Sequence, residues 1–406
     1  MKNRLLLALL MLPFFGEGGG FQVNTQGQKA TSMGGSVSGL AMDASVAFFN
    51  PGGLMALDSN YLNAGFAFLL PKSAFLGPYG GTEYMSAQLY TPFYVYANYR
   101  MKEKMALALS VNTPYGLGTK WKENWSGRYV SQEARLNTIF IQPTLAIRLS
   151  DKVSIGAGPV IVTGNARLSR ALPVAGQDGS EGQVELKGAG NGFGFNAGLY
   201  AELAGSSIGL SYRSAVELDL RNGDATFSNI PDYLLNNGSF PSSSSFESSI
   251  TLPAVLTLGI GHVFNEKISA NLDFNYTGWE VYDSLIFEFP DQPQLDSRSP
   301  KKYKNSFALR LGGQYQYSAR LQLRAGLAYD QSPVQDGYLG AELPDADKVI
   351  VAAGGSYRLK KGWSLEASFL FENLRERKED NNVEHNLNGT YKSYLYVAGL
   401  GVQYQF

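Results

Sequence analysis

The stretch YLYVAGLGVQYQF, Tyr394 to Phe406, carries the reading of the fold. Counting back from Phe406, the residues Tyr404, Val402, Leu400, Ala398, Tyr396 and Tyr394 are apolar at every second position. Successive side chains of a strand point to opposite faces, so this spacing lays down one continuous apolar face. The pattern recurs upstream. Ile268, Ala270, Leu272, Phe274 and Tyr276 alternate with Ser269, Asn271, Asp273, Asn275 and Thr277. Leu321, Leu323, Ala325, Leu327 and Tyr329 alternate with Gln322, Arg324, Gly326, Ala328 and Asp330. Trp363, Leu365, Ala367, Phe369 and Phe371 repeat it, with Glu366 and Glu372 on the other face. An apolar outer face and a more polar inner one make the pattern of a membrane-spanning barrel. A slip of one residue would turn Arg324 or Asp273 into lipid, costing about 2–4 kcal/mol for a basic residue at mid-membrane and less for an acid. The register is therefore strongly specified.

Between such segments, short connections at residues 101–104, 150–152, 204–206, 265–267, 318–319 and 360–362 alternate with long ones. The long ones lie at 71–88, 114–135, 171–183, 221–248, 290–302, 332–345 and 377–388. Six short and seven long connections separate about fourteen strands. An even count, with short turns on one side and long loops on the other, predicts an all-β fold, a transmembrane antiparallel β-barrel. Both termini then fall in the periplasm. A soluble β-sandwich would not need seven long loops at one end. A last strand that stops on Phe406 looks like the terminal signature read by the outer-membrane assembly machinery.

Composition agrees. Only 17% of residues are charged and 13% are aromatic, against roughly 25% charged in an average soluble domain. A formal net charge of -1 removes any electrostatic case for nucleic acid. The absence of Cys excludes a disulfide scaffold and thiolate metal sites. Nothing in the sequence requires a metal or cofactor.

The N-terminus divides in two. Lys2 and Arg4 precede the apolar run from Leu5 to Phe15, and GEGGG follows. This is the layout of a secretory signal peptide, too short to span a bilayer as a helix. Residues 1–18 are read as that signal, with the mature chain starting near Gly19. Next comes SMGGSVSGLAMDASVAFFNPGGLMAL, Ser32 to Leu57. It is too apolar for an exposed linker and too rich in small residues for an ordinary core helix. Small side chains let backbone approach backbone. Asn50-Pro51-Gly52-Gly53 punctuates it as a turn, in which Asn50 can bond nearby backbone. A compact segment before a barrel predicts an N-terminal hatch, a plug inside the lumen over residues 19–58, with the barrel over 59–406.

The hatch also carries a resemblance. GFQVN at Gly20–Asn24, Met33-Gly34-Gly35, Asp43-Ala44-Ser45 and Asn50-Pro51-Gly52-Gly53-Leu54 resemble the FadL family of outer-membrane transporters of long-chain fatty acids and other hydrophobic compounds. Matches continue in family order through TPYGLGTKW at Thr113–Trp121, SGRY at Ser126–Tyr129, GFGFNAG at Gly192–Gly198 and GLSYRS at Gly209–Ser214. TLP at Thr251–Pro253, TGW at Thr277–Trp279 and LPDAD at Leu343–Asp347 complete the series. The resemblance implies passive uptake: capture at the outer loops, passage to an internal pocket, and sideways release at a kink in the third strand. Carried over, the kink falls on Pro114, Tyr115, Gly116, Leu117 and Gly118. The residues support this themselves, since Pro114 lacks a ladder donor and Gly116 and Gly118 weaken pairing. The family's Asn-Pro-Ala turn stands here as Asn50-Pro51-Gly52, with more backbone freedom.

A fatty acid binds mainly through its tail, at about 0.8 kcal/mol per buried methylene. A charged, aligned head-group contact adds about 1.5–3 kcal/mol. The resemblance implies basic side chains for the carboxylate, and the best matching positions are Arg167, Arg170 and Lys304. Each also fits a strand-end cation facing lipid headgroups or lipopolysaccharide. In the longest outer loop, Ile230-Pro231-Asp232 reads as a helix start, and a short exposed helix bearing Tyr233, Leu234 and Leu235 would make a landing site. Phe21 is expected from the resemblance to reach the pocket and leave when ligand arrives.

Three other classes compete. The chain has only two histidines, His262 and His385, with no evident triad spacing for a hydrolase. A polar-solute porin does not need an apolar hatch. A structural or adhesive barrel would bind no apolar ligand. Fatty acids and aromatic or alkane hydrocarbons both need an apolar pocket, so residue types leave that choice open. Family members act as monomers.

Overall fold

In the computed structural model, which describes residues 19–176 and 179–406, the alternating segments pair into one closed antiparallel barrel. The first seven strands are β1 (Tyr61–Leu76), β2 (Phe93–Lys102), β3 (Met105–Asn112, resuming at Gly116–Lys120), β4 (Glu133–Arg148), β5 (Val153–Ala175), β6 (Glu181–Leu203) and β7 (Ser206–Arg213, resuming at Val216–Ser228). Then come β8 (Ser243–Leu252, resuming at Val255–Val263), β9 (Ile268–Thr277), β10 (Ser306–Gln316), β11 (Leu321–Asp330), β12 (Lys348–Arg358), β13 (Trp363–Leu374) and β14 (Gly389–Gln405). Each pairs with its neighbours in sequence. β14 returns to β1, from Tyr61 opposite Gln405 to Leu76 opposite Thr390, so the sheet has no open seam along that pair.

The alternation reads out as two walls. Leu272, Phe274, Leu323, Leu327, Leu365, Phe369 and Leu400 face outward and are exposed to the surroundings of the barrel. Asp273, Arg324, Glu366 and Glu372 face inward and are buried. What buries them is the N-terminal segment. Residues 20–57 lie against the inner wall, in two short helices, α1 (Gln28–Ser32) and α2 (Val46–Phe49), and a 3-10 turn at Pro51–Ala56. The expected signal peptide lies outside the described residues.

Polar satisfaction holds this segment in place, because a buried ionised group must find partners. Lys29 pairs with Asp43 at 3.4 Å and Glu366 at 3.7 Å. Asp273 accepts the N–H groups of Val37 and Ser38, each at 2.9 Å. Arg310 donates to Gly34 O at 3.1 Å and to Asp330 at 2.6 Å. Asn50 accepts from Gly52 N–H and donates to Ser38 O and Leu199 O, so it ties the turn to β6. Close approach is needed there. A Cβ on Gly52 would lie 2.9 Å from Gly198 O, and one on Gly198 would lie 2.2 Å from the Asn50 amide oxygen. The Gly at position 52 thus presses the turn onto the wall.

Loop expectations change in several places; residues 221–228 and 243–248, expected within one long loop, continue β7 and β8, with Thr226 opposite Ser243. Residues 171–175 and 181–183, expected within a loop, instead continue β5 and β6, with Ala171 opposite Gln183 and Ala175 opposite Glu181. Leu168, Leu172, Val184 and Leu186 give these extensions an apolar inner face that packs on the outer core, and this face keeps them paired. Pro71, expected to begin a loop, lies inside β1. The N–H groups of Ala67 and Leu69 point toward β2, and so would that of residue 71, where β2 has already ended. The missing donor is therefore harmless.

Candidate functional site

The third strand is broken where Pro114 sits. Its first half pairs with both neighbours, Tyr94 opposite Asn112 on β2 and Asn112 opposite Phe140 on β4. Its second half, from Gly116 opposite Asn137, pairs with β4 alone. Four residues of β3 then span three of β4, so Thr113–Tyr115 bulge. The unpaired edge is taken from inside by the N-terminal segment. Gly116 N–H donates to Phe21 O at 3.0 Å and Val23 N–H to Pro114 O at 2.9 Å, with Gln22 opposite Tyr115. From the first outer loop Tyr90 lies flat against Gly118, where a Cβ would sit 2.1 Å from its ring.

A cavity of about 470 Å³ occupies this break. On one side it is lined by Phe21, Val23, Leu136 and Thr138, which face the lumen, and on the other by Leu89, Phe93 and Ile139, on the outer wall. Gly116, Leu117 and Gly118 line it as well. Its polar end is the buried Lys348–Glu372 pair at 3.4 Å.

Phe21 forms the inner rim. Its ring packs edge-on to Trp279 at 4.7 Å, Tyr282 at 5.5 Å and Tyr115 at 6.1 Å. Gly20 N–H donates to Asp345 at 2.8 Å and anchors the segment to the loop that precedes β12. These rings belong to one apolar cluster that fills the outer half of the lumen. Trp279, Tyr282 and Tyr303 were not singled out by residue type; the TGW run was the available signal.

Farther out, a cavity of about 220 Å³ lies between the extended β5–β6 hairpin and the loops after β7 and β9. Leu168, Leu186, Phe227, Phe287 and Phe289 give it apolar walls, and Arg170, Arg298 and Lys301 reach it. Lys301 is buried between Glu342 and Glu384. Burial pulls its ammonium down, but the two carboxylates outweigh this and hold it well above the usual lysine range. Burial likewise pushes Glu342 up, and Lys301 overcomes that, leaving it below the usual carboxylate range. Burial lowers the neighbouring His385, against the opposing pull of Glu342 and Glu384.

Among the expected basic residues, only Arg170 reaches this cavity. Arg167 sits on the outer wall and pairs with Glu185. Val160 and Val162 face inward, so an odd offset carries residue 167 outward. Lys304 is exposed among residues 332–336 and 375–378, away from the lumen. Lys301, three residues earlier, is the buried cation. The helix α3 (Asp232–Asn236) forms where Pro231 predicted it, but of Tyr233, Leu234 and Leu235 only Tyr233 is exposed. Leu234 and Leu235 turn half-buried onto the apolar cluster.

Known proteins agree with this architecture. A long-chain fatty acid transport protein of Escherichia coli O6:H1 is 24% identical over 447 residues, covering 100% of this chain and 98% of that one. The crystal structure of a Pseudomonas aeruginosa FadL homologue superposes with a TM-score of 0.84 at 20% identity, covering 96% of this chain and 100% of that one. That of the Pseudomonas putida toluene transporter TodX gives 0.73 at 18%, covering 94% and 98%. The family model for outer membrane protein transport proteins (OMPP1/FadL/TodX) matches residues 10–406. This chain belongs to that family of outer-membrane transport proteins.

Proposed function

We propose that the protein takes up long-chain fatty acids or similar hydrophobic molecules passively across the outer membrane. Ligand enters the outer cavity near Arg170, passes to the aromatic cluster around Phe21, and leaves sideways at the break in β3. The observation that carries this reading is the cavity at the break, whose lining residues belong to both the lumen and the outer wall. Displacing Phe21 would free the two backbone bonds that its segment makes to Pro114 and Gly116, which supports coupling between ligand arrival and release. Transport needs no catalytic step, because burial of the tail supplies the affinity at about 0.8 kcal/mol per methylene.

The test is saturable binding of a long-chain fatty acid to the purified barrel, with toluene and an alkane as competitors. Arg170→Ala is expected to weaken acid binding by about 1.5–3 kcal/mol, and Lys304→Ala to leave it unaltered. Hydrocarbon binding without acid binding would move the substrate to hydrocarbons. Binding of neither, with steady ion conductance, would replace this reading by a porin.

A further inference from the structure

Arg213, the last residue of the first part of β7, is a cation with no carboxylate partner among the described residues. Its guanidinium stacks 3.7 Å from the Phe48 ring centre and donates to Phe48 O at 2.7 Å. Its buried Nε has no partner. The other inward cations differ. Lys29 has Asp43 and Glu366, Arg310 has Asp330, and Lys348 has Glu372. Arg324 spends its donors on Gln314, Gln322 and Ser356.

Arg213 lines a cavity of about 90 Å³ between hatch and wall. Arg310 lines it too, and no Asp or Glu does. The cavity is therefore a positively charged space with unspent donors. It has room for a carboxylate and ordered water but not for a long alkyl chain. Gln22, Val23, Asn24 and Tyr115 line both this cavity and the one at the β3 break. Only that strap and one ring separate the charged space from the apolar exit.

We propose that Arg213 is a head-group site for a long-chain carboxylic acid, holding the carboxylate inside the hatch while the tail occupies the cavity at the break. A guanidinium presents planar donors matched to a carboxylate. The tail then lies in the sideways exit first, and the acid is distinguished from a hydrocarbon at a second point below the outer loops. A hydrocarbon leaves the donors unmet, and a site built for hydrogen bonding discriminates against ligands that lack the partner. This inference rests on the uptake reading above.

Equilibrium binding of oleic acid, methyl oleate and 1-octadecene to the purified barrel tests it, in the wild type, in Arg170→Ala, and in Arg170→Ala combined with Arg213→Met or Arg213→Lys. In an Arg170→Ala background, which removes the outer head-group contact, the barrel is expected to favour the acid over its methyl ester by at least about tenfold, a preference that falls to near unity when Arg213→Met is added and is partly kept with Arg213→Lys. Acid and ester bound equally by Arg170→Ala, or a preference unchanged in a folded barrel when Arg213→Met is added, would overturn the head-group site and leave uptake standing. If the wild type binds none of the three, the uptake reading falls and this site with it. Heat-dependent gel migration reports whether each variant is folded. If Arg213→Met does not fold, Arg213→Lys carries the comparison, its acid–ester preference in the Arg170→Ala background expected to fall below that of Arg170→Ala alone.

Discussion

Lys301 and Glu342 are worth more to the outer cavity as a pair than as separate charges. Glu342 is held below its ordinary value of 4.5, so its contribution is complete above that pH and is lost as pH falls through the lowered value. Lys301 is held above its ordinary 10.5, so its contribution is complete below that pH and is lost only as pH rises through the raised value. The pair therefore supports the loops across the whole window between. Lys301→Met leaves a carboxylate facing an apolar wall, and breaking a buried pair costs about 3–5 kcal/mol. The variant's outer loops are expected to be cut faster by added protease at neutral pH. Without Lys301, burial raises the Glu342 carboxyl in the variant, so the difference from wild type should shrink as the pH is lowered below the ordinary carboxylate value of 4.5. Equal cleavage at neutral pH would show that the pair holds nothing.

At the scale of the element, β3 is the departure from regular pairing. Proline and glycine weaken a strand locally, and here they do so where β2 has already ended, so the N-terminal segment becomes the missing neighbour. Gln22 and Tyr115 face each other across that bridge, between its two backbone bonds, the close kind of antiparallel pair that accepts a disulfide. The chain has no Cys of its own. A Gln22→Cys, Tyr115→Cys double variant is therefore expected to lose fatty-acid uptake when oxidised and to regain it on reduction. Uptake that ignores the redox state, with the cross-link verified by mass, would mean that the segment does not move.

For the whole molecule, the N-terminal segment and the inner wall are one polar system. Removing residues 20–57 would strip Asp273 of two backbone donors and Glu366 of Lys29, and would leave the charged lumen face to water. Such a barrel is expected to conduct ions steadily in a planar bilayer, while the intact protein does not. Steady conductance of equal size from both would show that the hatch leaves an aqueous path open.

Strand number, register and facing were readable from residues 268–277, 321–330 and 363–371, because period-two alternation is local and a slip carries a direct cost in lipid. The bulge at Pro114 and the turn at Asn50 were legible for the same reason: each depends on its own residues. Arg167 could have been placed outward by counting from Val162. Lys301 could not have been preferred to Lys304, since residues 301–305 lie in no regular strand and offer no parity to count. The partners of the inner charges were equally out of reach. Lys29 meets Glu366, and Val37 meets Asp273, across most of the chain. Alternation determines which wall a side chain joins, but only closure of the barrel around its own N-terminus decides which group it meets there.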